Sequence, residues 1–388
     1  MAQVFIPRER RRGENRVAAT PETVRRMIQQ GFSVVVEQGA GAGAFFPDAD
    51  FEAAGARLTA DPVDAWVEAD VVLKVAPLGL YEGLPGHEMD ALKPGAVLIS
   101  FLAPHRELDT VRHLAAGNVS ALAMELVPRV TRAQSIDALS SQASVAGYKA
   151  ALVAAARVPR YFPLLMTAAG TIPAGRVVVL GAGVAGLQAL ATARRLGAVV
   201  EVSDVRAAVR EQVESLGGRF IDLPAAPSGE GAGGYARELG EDFLRQQREM
   251  LTERLAASDA VITTAQVPGK PAPRLVTAAM VEAMRPGSVI IDLAAEQGGN
   301  CELSQPDQEV VHNGVTILAP TNLAATLAHD ASSLYARNVL ALLRLLGKDG
   351  QVTIDTTDEV VAGTLLTHAG QVQAPVIAAL LDREGSAG

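Results

Sequence analysis

The sequence predicts an α/β protein with two Rossmann-like domains, which are built on parallel sheets and joined by long helices. Short β-branched runs alternate with helical stretches, an order typical of parallel strands covered by helices. The 388 residues exceed the roughly 100–200 of an average domain, which favours two domains. Apolar residues make up 49% of the chain and aromatic residues only 4%, so Ala, Val and Leu must form most of the core.

The first third of the chain predicts one series of alternating elements. Apolar runs predict strands at residues 4–6, 33–37, 71–75, 96–101 and 119–121, with a helix at 21–30. The Ala-rich residues 143–161 then predict a long helix that links the two domains.

A second series of alternating elements follows this helix. Its predicted strands are residues 176–180, 199–203, 260–264, 288–293 and 315–318. Residues 332–346 have the apolar spacing of a long amphipathic helix, which we expect to lead back to the first domain. We therefore predict an N-terminal domain of residues 1–140 and 325–388, and a second domain of residues 141–324. Residues 222–240, rich in Gly, Pro and Ser, predict a long loop of the kind that is usually functional or mobile.

Composition excludes several classes of function. The 34 Lys and Arg residues against 43 Asp and Glu residues give a net charge of -9, which argues against a nucleic-acid partner. With Cys301 as its single cysteine, the chain can form neither an intramolecular disulfide nor a cysteine zinc cage. The six histidines show no metal-ligand spacing, and we predict no metal site. Neither a G-x-S-x-G elbow nor a P-loop is present, so hydrolase and NTP-driven functions lack support.

The apolar segments do not predict secretion or a membrane span. The N-terminus reaches charged residues at Arg8 without an apolar signal region. No apolar stretch approaches the ~20 residues that cross a bilayer. We therefore expect a cytoplasmic protein.

Three glycines predict a dinucleotide site. Gly181, Gly183 and Gly186 have G-x-G-x-x-G spacing, follow the strand at 177–180 and open a helix. The first allows a tight turn, the second lets a pyrophosphate approach the backbone, and the third lets helix and strand pack closely. Asp204 lies where a carboxylate accepts hydrogen bonds from the ribose hydroxyls of NAD and repels the 2′-phosphate of NADP. The alternative is a tight turn with an unrelated surface aspartate.

Two further observations bear on which nucleotide binds. Arg206 could accommodate the 2′-phosphate of NADP, although we favour NAD. The Gly/Ala run at residues 39–43 lacks the third-glycine spacing and a following acid, so we interpret it as a structural turn. Because the chain holds one fingerprint, a second dinucleotide would have to be held by another chain.

A polar segment, residues 128–142, lies just before the predicted linking helix. It combines a guanidinium, an amide, a carboxylate and hydroxyls, which could orient a nicotinamide carboxamide and ribose at a cleft between domains. The alternative is a polar helix N-terminus capped by Asp or Ser. The spacing alone does not decide between them.

Five segments of the sequence carry a family resemblance. They are IPRERRRGENRVAATPE, PRVTRAQSIDALSSQ, VVVLGAGVAGLQA, SDVRAAVREQVESLGG and ITTAQVPGKPAP. Together they resemble the NAD(H)-binding component of proton-translocating NAD(P) transhydrogenases over nearly the whole chain. That family is similar to the alanine dehydrogenases, which share the two-domain fold and the ENRVAxTP opening. The PRxxRAQSxD pattern is the more specific one and indicates a transhydrogenase.

The resemblance implies roles for individual residues. Arg129, Gln134 and Asp137, with Ser140 nearby, would position the nicotinamide and its ribose for catalysis. The other implied nucleotide-site residues are Val130, Thr131, Arg132, Val184, Asp204, Val205, Arg206, Gly234, Tyr235, Gln247, Thr264, Ala265 and Gln266. Among these, Tyr235 and Gly234 match a mobile loop that closes over bound nucleotide.

The alanine dehydrogenase resemblance is incomplete. Arg16 and Lys74 match the positions that hold pyruvate, but Ala103 replaces the expected histidine. Reduction of a carbonyl or imine needs a proton donor within hydrogen-bond reach. His105, two residues away, leaves a substitute donor open.

The resemblance implies direct hydride transfer between NADH on this chain and NADP⁺ on a partner subunit, coupled to proton translocation by a membrane part. Orientation of the two rings is the catalytic contribution, and it needs no acid or base on this chain. The chain ends without membrane helices, which resembles the split form of the enzyme. We therefore expect a homodimer that docks on an NADP(H)-binding beta subunit and a membrane-spanning subunit at the inner face of the cell membrane. We expect it to be inactive without these partners. The alternatives are an alanine dehydrogenase and a non-catalytic NAD(H) sensor.

Overall fold

The computed structural model describes residues 1–80, 86–222, 241–267 and 269–386. The chain divides into two compact units, Met1–Gln142 with Ala325–Gly388, and Ala143–Ala324. Gly234 and Tyr235 lie outside the described residues.

Both units are α/β structures. The strands are β1 (Gln3–Ile6), β2 (Ser33–Glu37), β3 (Arg57–Thr59), β4 (Val71–Leu73), β5 (Val97–Ser100), β6 (Ser120–Ala123), β7 (Leu165–Thr167), β8 (Gly170–Ile172), β9 (Arg176–Leu180), β10 (Val199–Ser203), β11 (Arg219–Phe220), β12 (Ala260–Thr263), β13 (Val289–Asp292), β14 (Glu309–His312), β15 (Val315–Leu318), β16 (Gly347–Lys348), β17 (Gln351–Val352), β18 (Leu365–His368) and β19 (Gln371–Val372). The helices are α1 (Pro21–Gln29), α2 (Asp48–Ala53), α3 (Val63–Glu68), α4 (Leu108–Ala116), α5 (Ala138–Arg157), α6 (Val184–Arg195), α7 (Arg210–Ser215), α8 (Glu241–Ala256), α9 (Ala278–Glu282), α10 (Ala328–Leu346), α11 (Glu359–Thr364) and α12 (Pro375–Ser386).

Each unit has its own twisted sheet. In the described part of the first unit the strand order is β19-β18-β6-β5-β4-β1-β2-β3, and in the second it is β11-β10-β9-β12-β13-β15-β14. The central strands pair in parallel, whereas β14, β18 and β19 pair antiparallel at the edges. The predicted class of two Rossmann-like domains is therefore confirmed, with the correction that each sheet carries antiparallel edge strands.

Buried β-branched strands fix the centre of each unit. The strands β4 and β5 in the first unit and β12 and β13 in the second are buried at every position. A strand buried on both faces needs helices on both sides, which explains the near-continuous apolar runs in the sequence. The candidate residues follow the carboxyl ends of parallel strands, as is usual in open α/β sheets: the polar segment follows β6, the glycine loop β9, Asp204 β10 and Thr264 β12.

Two predicted helices begin at earlier residues than the apolar pattern indicated. The helix α5 starts at Ala138 and ends at Arg157, whereas the sequence placed it at residues 143–161. Asp137 accounts for the difference, because its carboxylate accepts hydrogen bonds from Ser140 in the first turn. The helix α10 starts at Ala328, ahead of the predicted residue 332. No helix in the described ranges combines the length and apolar character needed to cross a bilayer.

Candidate functional site

The loop between β9 and α6 holds the three glycines. Gly181 has a φ of +104°, a conformation that side-chain-bearing residues rarely adopt. A Cβ on Gly186 would lie 1.8 Å from the carbonyl oxygen of Gly181. The first and third glycines are therefore required by the protein's own backbone, which turns sharply at Gly181 and passes close to itself at Gly186.

Gly183 is different, because a Cβ built there would meet nothing within 4 Å. Its φ of -77° and ψ of -172° are open to any residue. The space above Gly183 adjoins the start of α6, whose first amides donate no hydrogen bond to an N-cap side chain. Amides of this kind bind phosphate oxygens. The cradle thus fits the pyrophosphate of a dinucleotide, and it explains a glycine that the protein itself does not require.

Asp204 follows β10 and its side chain is almost completely buried, unlike a surface aspartate. Its Oδ2 accepts hydrogen bonds from the Ala182 amide at 2.7 Å and from Arg206 Nη2 at 2.8 Å. Its Oδ1 accepts from the Arg206 amide and Nε, both at 2.9 Å. Asp204 therefore ties the end of β10 to the glycine loop, and its carboxylate neutralises the guanidinium of Arg206.

The residues after β12 form the other side of the glycine loop. Thr264 Oγ1 donates a hydrogen bond to the Gly181 carbonyl oxygen at 3.0 Å. Asn300 clamps Ala265, since its Oδ1 accepts from the Ala265 amide at 3.0 Å and its Nδ2 donates to the Ala265 carbonyl at 2.8 Å. Gln266 is exposed and donates to the Leu293 carbonyl. The sequence predicted Thr264, Ala265 and Gln266 but missed the fully buried Asn300, for which a polar residue shortly after β13 was the available signal.

Gln247 lies on α8 and is buried, with a relative exposure of 3%. Its side-chain Oε1 has no hydrogen-bond partner among the residues that the structure describes. An unpaired buried amide oxygen is unusual in a folded protein. Gln247, the predicted nucleotide-site residue on α8, therefore retains a side-chain oxygen that can accept a hydrogen bond from a further group.

The polar segment of the first unit forms a turn followed by a capped helix. Arg129 and Gln134 are exposed. Asp137 caps α5: its Oδ1 accepts from the Ser140 amide at 2.9 Å and its Oδ2 from Ser140 Oγ at 2.6 Å. Arg132 donates to Asp358 at 2.5 Å, ahead of α11. The capping interpretation thus holds for Asp137 and Ser140, and it leaves each carboxylate oxygen with acceptor capacity.

The remaining predicted residues of both units lie in these loops or directly next to them. Val130 and Thr131 lie in the turn that precedes Gln134, with Thr131 exposed. Val184 is the first residue of α6 and is 40% exposed, and Val205 lies between Asp204 and Arg206. These four residues carry no polar side chain that could bond a ligand except Thr131, so their contribution would be contact area and backbone groups.

The two cations that resemble a pyruvate site are already paired. Lys74 Nζ lies 3.0 Å from Glu9 Oε2 and 3.0 Å from Glu88 Oε1, and all three side chains are buried. Arg16 donates to both carboxylate oxygens of Glu14, at 2.8 and 2.6 Å. Burial disfavours the charged form of Lys74, but the two carboxylates outweigh it and raise the Lys74 pKa.

Ala103, which stands where a histidine was expected, lies against the carboxyl group of Glu125. Ala103 adopts a left-handed conformation, with a φ of +48°, and Glu125 Oε1 accepts hydrogen bonds from the amides of Leu102 and Ala103. Burial lowers the pKa of His105, which favours its neutral form. Among the described residues no group of three or more His, Cys, Asp or Glu side chains could hold a metal ion.

Comparison with known families matches almost the whole chain. Residues 5–146 match the family described as alanine dehydrogenase/PNT, N-terminal domain, and residues 150–375 match its C-terminal domain. A Rhodospirillum rubrum protein, named as the first part of NAD(P) transhydrogenase subunit alpha, is 50% identical over 380 residues, covering 97% of this chain and 98% of the relative. Alanine dehydrogenase 2 of Staphylococcus aureus is 30% identical, covering 98% and 97%.

Solved structures give the same pair of relatives. A transhydrogenase from Sinorhizobium meliloti superposes with a TM-score of 0.85 at 43% identity, covering 95% of this chain and 99% of that one. An L-alanine dehydrogenase superposes with a TM-score of 0.79 at 26% identity, covering 98% and 99%. Both identity and superposition are therefore higher for the transhydrogenase.

Proposed function

The chain belongs to the alanine dehydrogenase/PNT family, and we propose that it is the NAD(H)-binding component of a proton-translocating NAD(P) transhydrogenase. The observation that carries the proposal is the 50% identity, over 97% of the chain, to the Rhodospirillum rubrum transhydrogenase alpha-subunit protein. The chain's reaction is hydride transfer between NADH bound here and NADP⁺ held on a partner subunit.

In this proposal residues 141–324 are the NAD(H)-binding domain, and residues 1–140 with 325–388 are the N-terminal domain. The nicotinamide ring supplies the hydride. The amides at the start of α6 bind the pyrophosphate above Gly183. Gln247, Thr264, Ala265 and Gln266 belong to the same domain and contribute to its nucleotide site. Gln134, with Arg129 and Asp137, orients the nicotinamide and its ribose, and this orientation is the catalytic contribution.

Asp204 and Arg206 select NAD(H) over NADP(H). A carboxylate offers about four acceptor positions. Among the described residues, Arg206 supplies three N–H groups to Asp204 and the Ala182 amide supplies a fourth. A ribose hydroxyl therefore takes the place of one Arg206 contact. A 2′-phosphate would meet the Asp204 carboxylate and a guanidinium that this carboxylate already neutralises.

The names of the relatives support the proposal that this chain works with partner subunits. The Rhodospirillum rubrum relative is one portion of a divided alpha subunit, and the undivided alpha subunit of Haemophilus influenzae is 41% identical, with 71% of its length covered. We place this chain at the inner face of the cell membrane, on an NADP(H)-binding beta subunit and a membrane-spanning subunit that moves protons. Hydride transfer then requires the partners.

We also propose a homodimer. The hairpin of β7 and β8 exposes Met166 at 78%, Leu164 at 55% and Ile172 at 38%. A two-stranded hairpin is marginally stable alone in water, and exposed apolar patches mark interaction surfaces. Met166→Glu should convert the dimer into a monomer in sedimentation velocity, whereas a wild-type chain that sediments as a monomer would contradict the homodimer.

Alanine dehydrogenase activity is not expected. A pyruvate carboxylate would have to compete with Glu9, Glu88 and Glu14 for Lys74 and Arg16. Each of these internal carboxylates is buried beside its cation, so displacing it leaves a buried charge unpaired.

The test is NADH oxidation by the purified chain with thio-NADP⁺ as acceptor, with and without a separately purified NADP(H)-binding subunit. We expect transfer only when the partner is present. Transfer with pyruvate and ammonia by the chain alone would instead establish an alanine dehydrogenase. NADH binding without transfer to either acceptor, with the partner present, would leave an NAD(H) sensor.

A further inference from the structure

In the turn that carries Gln134, the two backbone hydrogen bonds made by Gln134 itself are long. The Gln134 amide reaches the Thr131 carbonyl at 3.3 Å, and the Asp137 amide reaches the Gln134 carbonyl at 3.4 Å. Both distances exceed the 2.7–3.2 Å range that is usual for N–H···O hydrogen bonds. Ala133 and Ile136 anchor the turn in the core, but they fix positions on either side of Ser135. The Ile136 amide closes this stretch on the Ala133 carbonyl at 2.9 Å, and the Ser135 carbonyl between them takes its support from a side chain on another element.

Asn338, on α10, supplies that support. Its Nδ2 donates to the Ser135 carbonyl oxygen at 2.8 Å, and its Oδ1 accepts from Ser141 Oγ at 2.7 Å. Because a carbonyl oxygen can only accept, the amide nitrogen must face Ser135. Asn338 is buried, with an exposure of 8%. One side chain therefore bridges the residue after Gln134 to the first turn of α5, on both sides of Asp137.

This bridge belongs to a longer buried network. Gln142 Nε2 donates to Ser141 Oγ at 3.2 Å and to the Ala331 carbonyl of α10 at 3.0 Å. Gln142 Oε1 in turn accepts from Arg16 Nη1 at 2.8 Å. The start of α5 is thus fixed to α10 independently of Asn338. Loss of Asn338 would release the turn at Ser135 while leaving the helix in place.

We propose that Asn338 is a positioning residue for hydride transfer, which holds the Gln134–Asp137 turn in the geometry that orients the nicotinamide. This inference rests on the proposed function. Asn338 acts through Ser135 and Ser141 and touches no reacting atom. A displacement of about 1 Å in a positioning group can lower a rate by about 100-fold. Binding should change far less, because the glycine loop and Asp204 lie on other elements.

The test compares Asn338→Asp and Asn338→Ala with Ser332→Ala. Asn338→Asp keeps the acceptor for Ser141 but replaces the donor to Ser135 with an oxygen that repels the carbonyl. Ser332 is the matched control: it lies on the same helix, is fully buried, and accepts a hydrogen bond from the Val17 amide at 3.0 Å, away from the turn. All three variants should show a similar loss of melting temperature.

We expect both Asn338 variants to lower the single-turnover rate to thio-NADP⁺, with the NADP(H)-binding subunit present, by about 10- to 100-fold. Their NADH dissociation constants, measured by fluorescence on the chain alone, should stay within about threefold of wild type. Ser332→Ala should leave both quantities near wild type. A wild-type rate in Asn338→Asp, or an equal loss in rate and in binding, would overturn the positioning role.

Hydrogen exchange separates this inference from the proposed function. The amides of Gln134 and Asp137 should exchange faster in Asn338→Ala than in wild type, and Ser332→Ala should not change them. If wild type fails to transfer hydride with its partner, the proposed function fails, and the exchange result still decides whether Asn338 holds the turn. Exchange of these two amides that is the same in Asn338→Ala as in wild type would refute the role of Asn338 in holding the turn.

Discussion

Gly183→Ala should weaken NADH binding without destabilising the protein. The added methyl meets no protein atom within 4 Å, and the backbone angles at Gly183 suit alanine. Folding stability should therefore be unchanged or rise by about 0.4–1 kcal/mol, because alanine restricts the unfolded chain. The methyl occupies the space that we assign to the pyrophosphate, and filling a packed site typically costs about 1–3 kcal/mol. That range corresponds to an increase of about 5- to 150-fold in the NADH dissociation constant.

Gly186→Ala is the matched control and should show the opposite behaviour. Its Cβ would lie 1.8 Å from the Gly181 carbonyl oxygen, where ordinary contact begins at 3.4 Å. Two backbone segments must separate by about 1.6 Å, so we expect a loss of about 3 kcal/mol or more in the free energy of unfolding.

Urea denaturation and NADH fluorescence titration measure the two quantities on the same preparations. Wild-type NADH affinity in Gly183→Ala would refute the assignment of the open space to the nucleotide. Wild-type stability in Gly186→Ala would refute the steric account of the third glycine.

Three further predictions concern buried polar groups. Asn300→Asp removes the two hydrogen bonds that Nδ2 donates and sets an anion beside the Ala265 carbonyl. Thermal unfolding should show a loss of about 1–3 kcal/mol in stability, and NADH titration a loss of about tenfold in affinity. Wild-type values in both measurements would contradict the role of Asn300 in holding Ala265. Burial raises the pKa of Tyr335 well above 10, so the stability that the neutral Tyr335 hydroxyl contributes is fully present below pH 10 and is lost as the pH rises above 10. Tyr335→Phe should cost about 1 kcal/mol at pH 7 and should flatten the alkaline fall in stability measured by urea denaturation. An alkaline fall equal to that of wild type would argue against this role of Tyr335. Lys74→Met should lower the free energy of unfolding by about 3–5 kcal/mol, because it leaves the buried Glu9 and Glu88 without a cation. Lys93→Met, which breaks the exposed pair with Asp70, should change it by about 1 kcal/mol or less. Equal urea midpoints in the two variants would refute the contrast.

Several elements follow from local sequence alone. The strands β2, β9, β10 and β15 have the bounds that their β-branched runs predict. Two hairpins were missed although their turns were readable. Asn313 and Gly314 join β14 to β15 at the edge of the second sheet, and Asp349 and Gly350 join β16 to β17 in a separate two-stranded sheet, all four with positive φ. Such pairs are strong hairpin signals. The exposed edge strands lack the apolar runs on which the prediction relied.

The sequence by itself determined the two α/β series, the glycine cradle and its acidic partner, because each depends on spacing within one strand-turn-helix unit. Only the tertiary structure decided how the buried charges pair and which residues support the loops. Lys74 meets Glu9 across 65 residues, and Asn338 meets Ser135 across 203. No local period encodes such contacts, since they arise when distant elements pack on one sheet. Lys74 is thus matched by carboxylates from other segments of the chain, whereas Arg16 pairs with Glu14 two residues away. The turn around Gln134 likewise depends on α10, which lies near the C-terminal end of the chain.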